Sequence, residues 1–214
     1  MKTDIRSQVL GVLALTSCVL FFGSCTERPA EITWSDPGFT EAFFDRKQLD
    51  ELSDDSKMEY FHFYNVLPER DAEVGSVMAM GAYGDHKEVY SYIGGPWYRM
   101  YESLSGTRTI CDRLTSDGAE EKVSHLRRAG LTPYAAVFTR KEVMNAFDAL
   151  SECNAIRLTP VRTEDDRYWT MRITPVRIED GVARVVGGTE DERMSTNPCP
   201  TYCGLTPSYF VHCR

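Results

Sequence analysis

The sequence predicts an α+β protein, an N-terminal helical half packed with a small C-terminal antiparallel β-meander. Three observations predict it. Apolar residues between 40 and 66 recur at three- and four-residue spacing, as on one face of a helix. Thr139-Arg140-Lys141-Glu142 spells a capping box ahead of a helically spaced apolar run. After Cys153 the pattern changes to short strand-like runs joined by polar, turn-type links.

The elements follow in chain order. Lys2 and Arg6 lie in a short polar start, Val9 to Phe22 is almost wholly apolar, and Gly23-Ser24-Cys25 follows. That is the order of a signal peptide, charged region, apolar core and small residues before a cleavage point. The apolar run is shorter than the roughly 18 residues a spanning helix needs. A cysteine at the junction resembles the lipobox of bacterial lipoproteins, in which it is acylated and becomes the first residue. Cys18, in Leu15-Thr16-Ser17-Cys18, fits the usual spelling better. Cleavage there, however, would leave only Val9 to Leu15 as apolar core and expose Val19 to Phe22. Cys25 is therefore the expected lipidation site. Residues 1–24 read as signal peptide, 25–36 as a lipidated tether, and 37–214 as a single domain. By the sorting pattern of such lipoproteins, Thr26 after the cysteine points to the outer membrane.

Asp36-Pro37-Gly38 is a turn signal, and Thr40 can cap a helix running to about Leu52. Ser53 or Asp54 can cap a second helix with Met58, Phe61, Tyr64 and Val66 inward. Gly75 to Gly84 is small and apolar, a strand or a buried turn. Asp85-His86-Lys87-Glu88 resembles a capping box for a helix to about Ile93, which Gly94-Gly95-Pro96 must break. A short helix from Trp97 to Leu104 follows. Ser116 or Asp117 opens a clearer helix to Ala129, with Gly130 at its C′ position. After the helix opened by Thr139, strands are expected at 154–162, 168–178 and 182–186. Trp169, Met171 and Ile173 share one face by alternation. Within this meander Arg157-Leu158-Thr159-Pro160-Val161-Arg162 recurs as Arg172-Ile173-Thr174-Pro175-Val176-Arg177. Proline cannot donate to a ladder, so Pro160 and Pro175 must face away from pairing or mark bulges. The repeat reads as two similar meander strands; the sharper alternative is a pair of Arg/Asp-bearing edges that grip an anionic ligand.

Composition narrows function. The 214 residues carry a net charge of −8. Losing Lys2, Arg6 and Asp4 with the signal removes two positive charges and one negative, so −8 becomes −9. An acidic domain does not suit nucleic acid, whose binding rests on neutralising phosphates. An apolar content of 42% suits a packed core rather than wholesale disorder. Of seven cysteines, five follow Cys25: Cys111, Cys153, Cys199, Cys203 and Cys213. Export permits disulfides, and an odd number leaves at least one thiol over. Cys153 reads as a small buried hydrophobe. Cys199, Cys203 and Cys213 are disulfide candidates among themselves or with Cys111. With His212 they could also hold zinc, but the spacing is not a standard zinc pattern, and no metal or other cofactor is expected. Trp97, Tyr98 and Tyr101, beside Gly94-Gly95-Pro96, are candidates for stacking against a glycan or peptide, or are simply core. His86, with Asp85 and Glu88, can act as an acid–base group; a polar first helical turn explains it as well.

From Phe138 to Gly204 the chain is similar to a family of uncharacterised exported bacterial proteins. The residues that carry the likeness are Phe138-Thr139-Arg140 opening a helix, Cys153 before a strand, the meander over 154–186, and Pro198-Cys199-Pro200-Thr201-Tyr202-Cys203-Gly204. The resemblance implies an α+β module with a paired-cysteine loop and transfers no activity. The expectation is a cell-envelope lipoprotein held to the membrane by its lipid, serving as a binding or structural module for a protein or glycan. The alternative is an envelope hydrolase using His86 with an acidic neighbour.

Overall fold

The structure is a computed structural model that describes residues 38–54, 56–84, 90–92, 96–104, 109–131, 133–164, 168–195 and 197–199. Two antiparallel sheets, not a helical half and a small meander, make up the domain, and this corrects the expected fold class. The three α-helices among the described residues are short.

The correction begins at the first element. β1 (Ala42–Asp45) runs directly into α1 (Arg46–Leu52). Asp45, not Thr40, is the cap: its side chain accepts from the Gln48 amide at 2.8 Å, and Gln48 Oε1 accepts from the Asp45 amide at 3.0 Å. Next come β2 (Met58–Val66) and β3 (Ser76–Tyr83), which pair with each other. The helical spacing of Met58, Phe61, Tyr64 and Val66 is coincidental. The strand is covered on both faces over most of its length, so apolar and aromatic residues fall on both faces and a period-two signal is lost. β4 (Tyr90–Tyr92) and β5 (Pro96–Leu104) are strands where helices were expected. Pro96 stands at the first residue of its strand, where a missing donor is tolerated. β6 (Thr109–Thr115) then leads into α2 (Ser116–Arg128), which ends as expected, with Gly130 at a positive φ. β7 (Ala135–Thr139) supplies the Thr139 cap of α3 (Arg140–Asp148), and the predicted capping box forms through Glu142.

The meander also forms, as β8 (Ala155–Arg162), β9 (Trp169–Glu179) and β10 (Val182–Val185). Asp180 and Gly181 join the last two strands with φ of 51° and 78°. Both central residues of a tight I′ hairpin turn need positive φ, which is why Asp-Gly stands there. β11 (Arg193–Met194) and β12 (Asn197–Cys199) complete the chain order.

The first sheet has the order β1-β8-β9-β10, with β11 also on β9; the second runs β12-β7-β2-β3-β5-β4, with β6 also on β5. Both prolines of the repeat face away from the β8–β9 ladder. Met171 gives its carbonyl to the Ser195 amide and Pro175 gives its carbonyl to the Val186 amide, so both residues turn their polar groups from β8. Pro160, opposite Met171, points its nitrogen past the end of β1, which pairs only with residues 155–158.

The core lies between the sheets. Phe44, Ile156, Leu158, Met171 and Ile173 meet Phe61, Phe63, Ala136 and Phe138, with Leu49 of α1 and Val143 and Phe147 of α3 closing the cluster. Phe63 is its centre, with ring centroids 5.4 Å from Phe44 and 5.9 Å from Phe138. Each such ring contributes about 1.5–3 kcal/mol by burial. Trp169 packs on the edge of this cluster, on the face predicted for it. Across the second sheet, Met78, Met80 and Val137 pack under Ala119 and Val123 of α2.

Two ties join the sheets. The Phe43 amide donates to Ser103 Oγ at 2.7 Å, linking β1 to β5. On the other side Ser195, 2% exposed, donates through Oγ to the Val137 carbonyl and accepts from the Val137 amide. The chain thus passes from beside β9 in one sheet, as β11, to beside β7 in the other, as β12, within a few residues. Cys153 is a buried free thiol, in keeping with its sequence setting.

Candidate functional site

Four of the candidate residues fall outside the described region: Cys25, His86, Cys203 and Cys213. Trp97, Tyr98 and Tyr101 lie on β5 rather than on a glycine-broken loop. Along a strand Trp97 and Tyr101 share one parity and Tyr98 has the other. Cys111 stands opposite Tyr101 on β6, whereas Cys199 is on β12. The strands β7, β2, β3 and β5 stand between them.

His62 is on β2, not a helix; it is buried, with Nδ1 3.3 Å from the Tyr64 hydroxyl. His125 on α2 places Nε2 3.6 Å from Glu121. Among the described residues no three histidine, cysteine or acidic side chains gather in a metal-holding group.

A different site emerges on the outer face of the first sheet. Strand alternation sends Ala42 and Phe44 of β1 and Ile156 and Leu158 of β8 into the core, so Glu41, Phe43, Asp45, Ala155 and Arg157 take the opposite face. Ile178 of β9 joins them. The β9–β10 turn, through Gly181, Val182 and Ala183, rises on one side, and the first turn of α1, through Arg46, Lys47 and Gln48, rises on the other. They enclose a concavity of about 800 Å³. Ligand pockets commonly fall within about 300–1,000 Å³ and mix apolar walls with a few polar groups.

Most polar groups in this wall already have structural duties. Asp45 caps α1. Arg46 reaches Asp148 at 2.9 Å and Asp50 at 3.6 Å. Asn154 clamps Ile178, accepting from its amide at 2.8 Å and donating to its carbonyl at 2.9 Å. Arg157 differs: its Nε is buried without a hydrogen-bond partner among the described residues. Phe43 and Arg157 face each other in register, and the Phe43 amide points away toward Ser103. That makes theirs the pair type in which side chains approach most closely. Arg157 is visible in the sequence repeat. The cavity is not, because it depends on β1 pairing with β8 across more than a hundred intervening residues.

Comparison with protein-family models, characterised proteins and solved structures finds no match.

Proposed function

We propose that this chain is a cell-envelope lipoprotein, acylated at Cys25 and held at the outer membrane, whose folded body is a binding module. The cavity floored by β1 and β8 is the observation that carries the binding half of this reading. It has the volume of a small-molecule site, and its wall combines Phe43, Ile178 and Val182 with charged groups. The envelope half is supported by the order of charge, apolar core, small residues and cysteine over residues 1–25. The lipid anchor would supply the membrane partner, since acyl chains contribute about 0.8 kcal/mol per buried CH₂ and stable anchoring takes more than one chain. The cavity accommodates a small group, whether free or carried on a protein or glycan. No histidine lines the cavity, so the hydrolase alternative gains no support there.

Two measurements test the proposal separately. Cys25→Ala should move the protein from the membrane fraction to the soluble fraction; unchanged fractionation removes the lipid anchor. A fragment screen by ligand-observed NMR, with the full chain in non-ionic detergent, should yield hits that Ala183→Trp abolishes. Ala183 lies in the cavity wall on the β9–β10 hairpin, where a large ring fills the space. If no hit depends on residue 183, the cavity is not a binding site.

A further inference from the structure

We infer that the group recognised in this cavity is a carboxylate, held by Arg157, on a partly apolar small molecule. The inference rests on the binding reading above and adds the chemical class of the ligand. Its basis is a contrast among the arginines of β8 and β9. Arg172, the repeat counterpart of Arg157, has Glu192 at 3.6 Å. Arg177 has Glu179 at 3.1 Å. Arg162 lies over the Trp169 ring at 4.3 Å. Among the described residues Arg157 has neither an ion pair nor a ring, and its Nε is closed off from solvent with no acceptor. Nε itself is sealed by the fold, so a ligand oxygen would be met by the Nη end of the guanidinium, which has no acceptor among the described residues.

The surroundings select among anions. Asp45 is occupied by its cap and Arg46 by its ion pairs. The charges left in the wall are Glu41, Lys47 and Arg157, one negative and two positive. A positive remainder in a chain of net charge −8 is local, not a property of the whole surface. A single guanidinium offers the planar fork that matches a carboxylate. The net remainder of one positive charge matches a carboxylate monoanion better than a phosphate dianion. Beside Arg157, Phe43, Ala155, Ile178 and Val182 provide the apolar wall. Val182 is 54% exposed, which leaves that wall open to a ligand.

The test uses para-fluorophenylacetate and para-fluorophenethylamine, which share a ring and differ in charge. Both are titrated into the full chain in non-ionic detergent and followed by fluorine NMR. The acid should bind about tenfold more tightly than the amine, the ratio expected for one charge-assisted hydrogen-bonded contact. Arg157→Gln should erase that preference, and Arg157→Lys should restore only part of it, because the charge returns without the fork. Should the Gln variant fail to fold, the Lys variant alone still tests the fork: acid affinity equal to that of the parent overturns the proposal. Equal affinity of the parent for acid and amine, or inorganic phosphate competing as well as the acid, also overturns it. Those results leave the binding reading standing if Ala183→Trp still abolishes both probes. Loss of the binding reading has a separate signature, namely probe signals that residue 183 does not affect.

Discussion

Lys122→Met should destabilise the domain by about 2–4 kcal/mol. Glu102 of β5 projects toward α2 on the outer face of the second sheet and is only 3% exposed. It meets Lys122 Nζ at 2.9 Å and accepts from Ser76 Oγ at 2.5 Å; Lys122 also donates to the Pro68 carbonyl at 3.3 Å. Removing one partner of a buried ion pair costs about 3–5 kcal/mol, because the other charge is left desolvated and alone. Ser76 remains as a donor and offsets about 1 kcal/mol of that. Methionine keeps the apolar stem of lysine, so packing contributes little to the loss. Urea unfolding is the assay. With a slope of about 2 kcal/mol per molar, the midpoint should fall by about 1–2 M. Adding Glu102→Gln removes the stranded charge, so the double variant should recover most of the midpoint. A single variant within about 1 kcal/mol of the parent, or a double variant no better than the single, would refute the claim that this pair is buried and interdependent.

Gly75→Ala tests a backbone contact: a Cβ there would overlap the Gly38 carbonyl oxygen. No side chain can move aside to relieve it, so a loss of about 3 kcal/mol or more is expected by thermal unfolding, and a near-neutral result would contradict this approach of the two loops. Burial pushes the Cys153 thiol above its ordinary value of 9.0, against smaller opposing effects of the backbone at Val176 and Ala155 and of the Arg46 charge. The folded protein therefore holds the thiol proton more tightly than the unfolded chain does. Stability from this group is complete below the ordinary value and is lost as pH climbs toward the raised one. Subtracting the pH–stability curve of Cys153→Ala from that of the parent should reveal a decline beginning above about pH 9, and the native thiol should resist alkylation until the protein unfolds.

The elements legible in the sequence are those set by local chemistry. Thr139 and Glu142 announce α3, Gly130 ends α2, and Asp180-Gly181 turns β9 into β10, each within four residues. The same signature stands at Asp45 and Gln48, and it marks the start of α1 without any tertiary information. What precedes it is obscured, since β1 is a four-residue strand ending on the cap itself. β2 and β3 are obscured for another reason. Their two faces meet two different cores, one shared with the first sheet and one under α2, so Phe61 on one face and Tyr64 on the other are both fully buried aromatics. Alternation carries information only when one face meets water. The site is half legible. Arg157 stands out by its repeat, but its lack of an ion pair becomes apparent only once Glu192 and Glu179 are seen to serve Arg172 and Arg177.

The passage through Ser195 has a bearing on how the chain acquires its shape. β1 must wait for β8, and β7 gains its outer neighbour only from β12, near the last of the described residues. Neither sheet is whole until strands as far along the chain as β11 and β12 have joined. Partners so remote in sequence make for slow assembly. During that interval the pairing edge of β1 and the outer edge of β7 stay bare, and unpaired strand edges of that kind are templates for pairing with another chain.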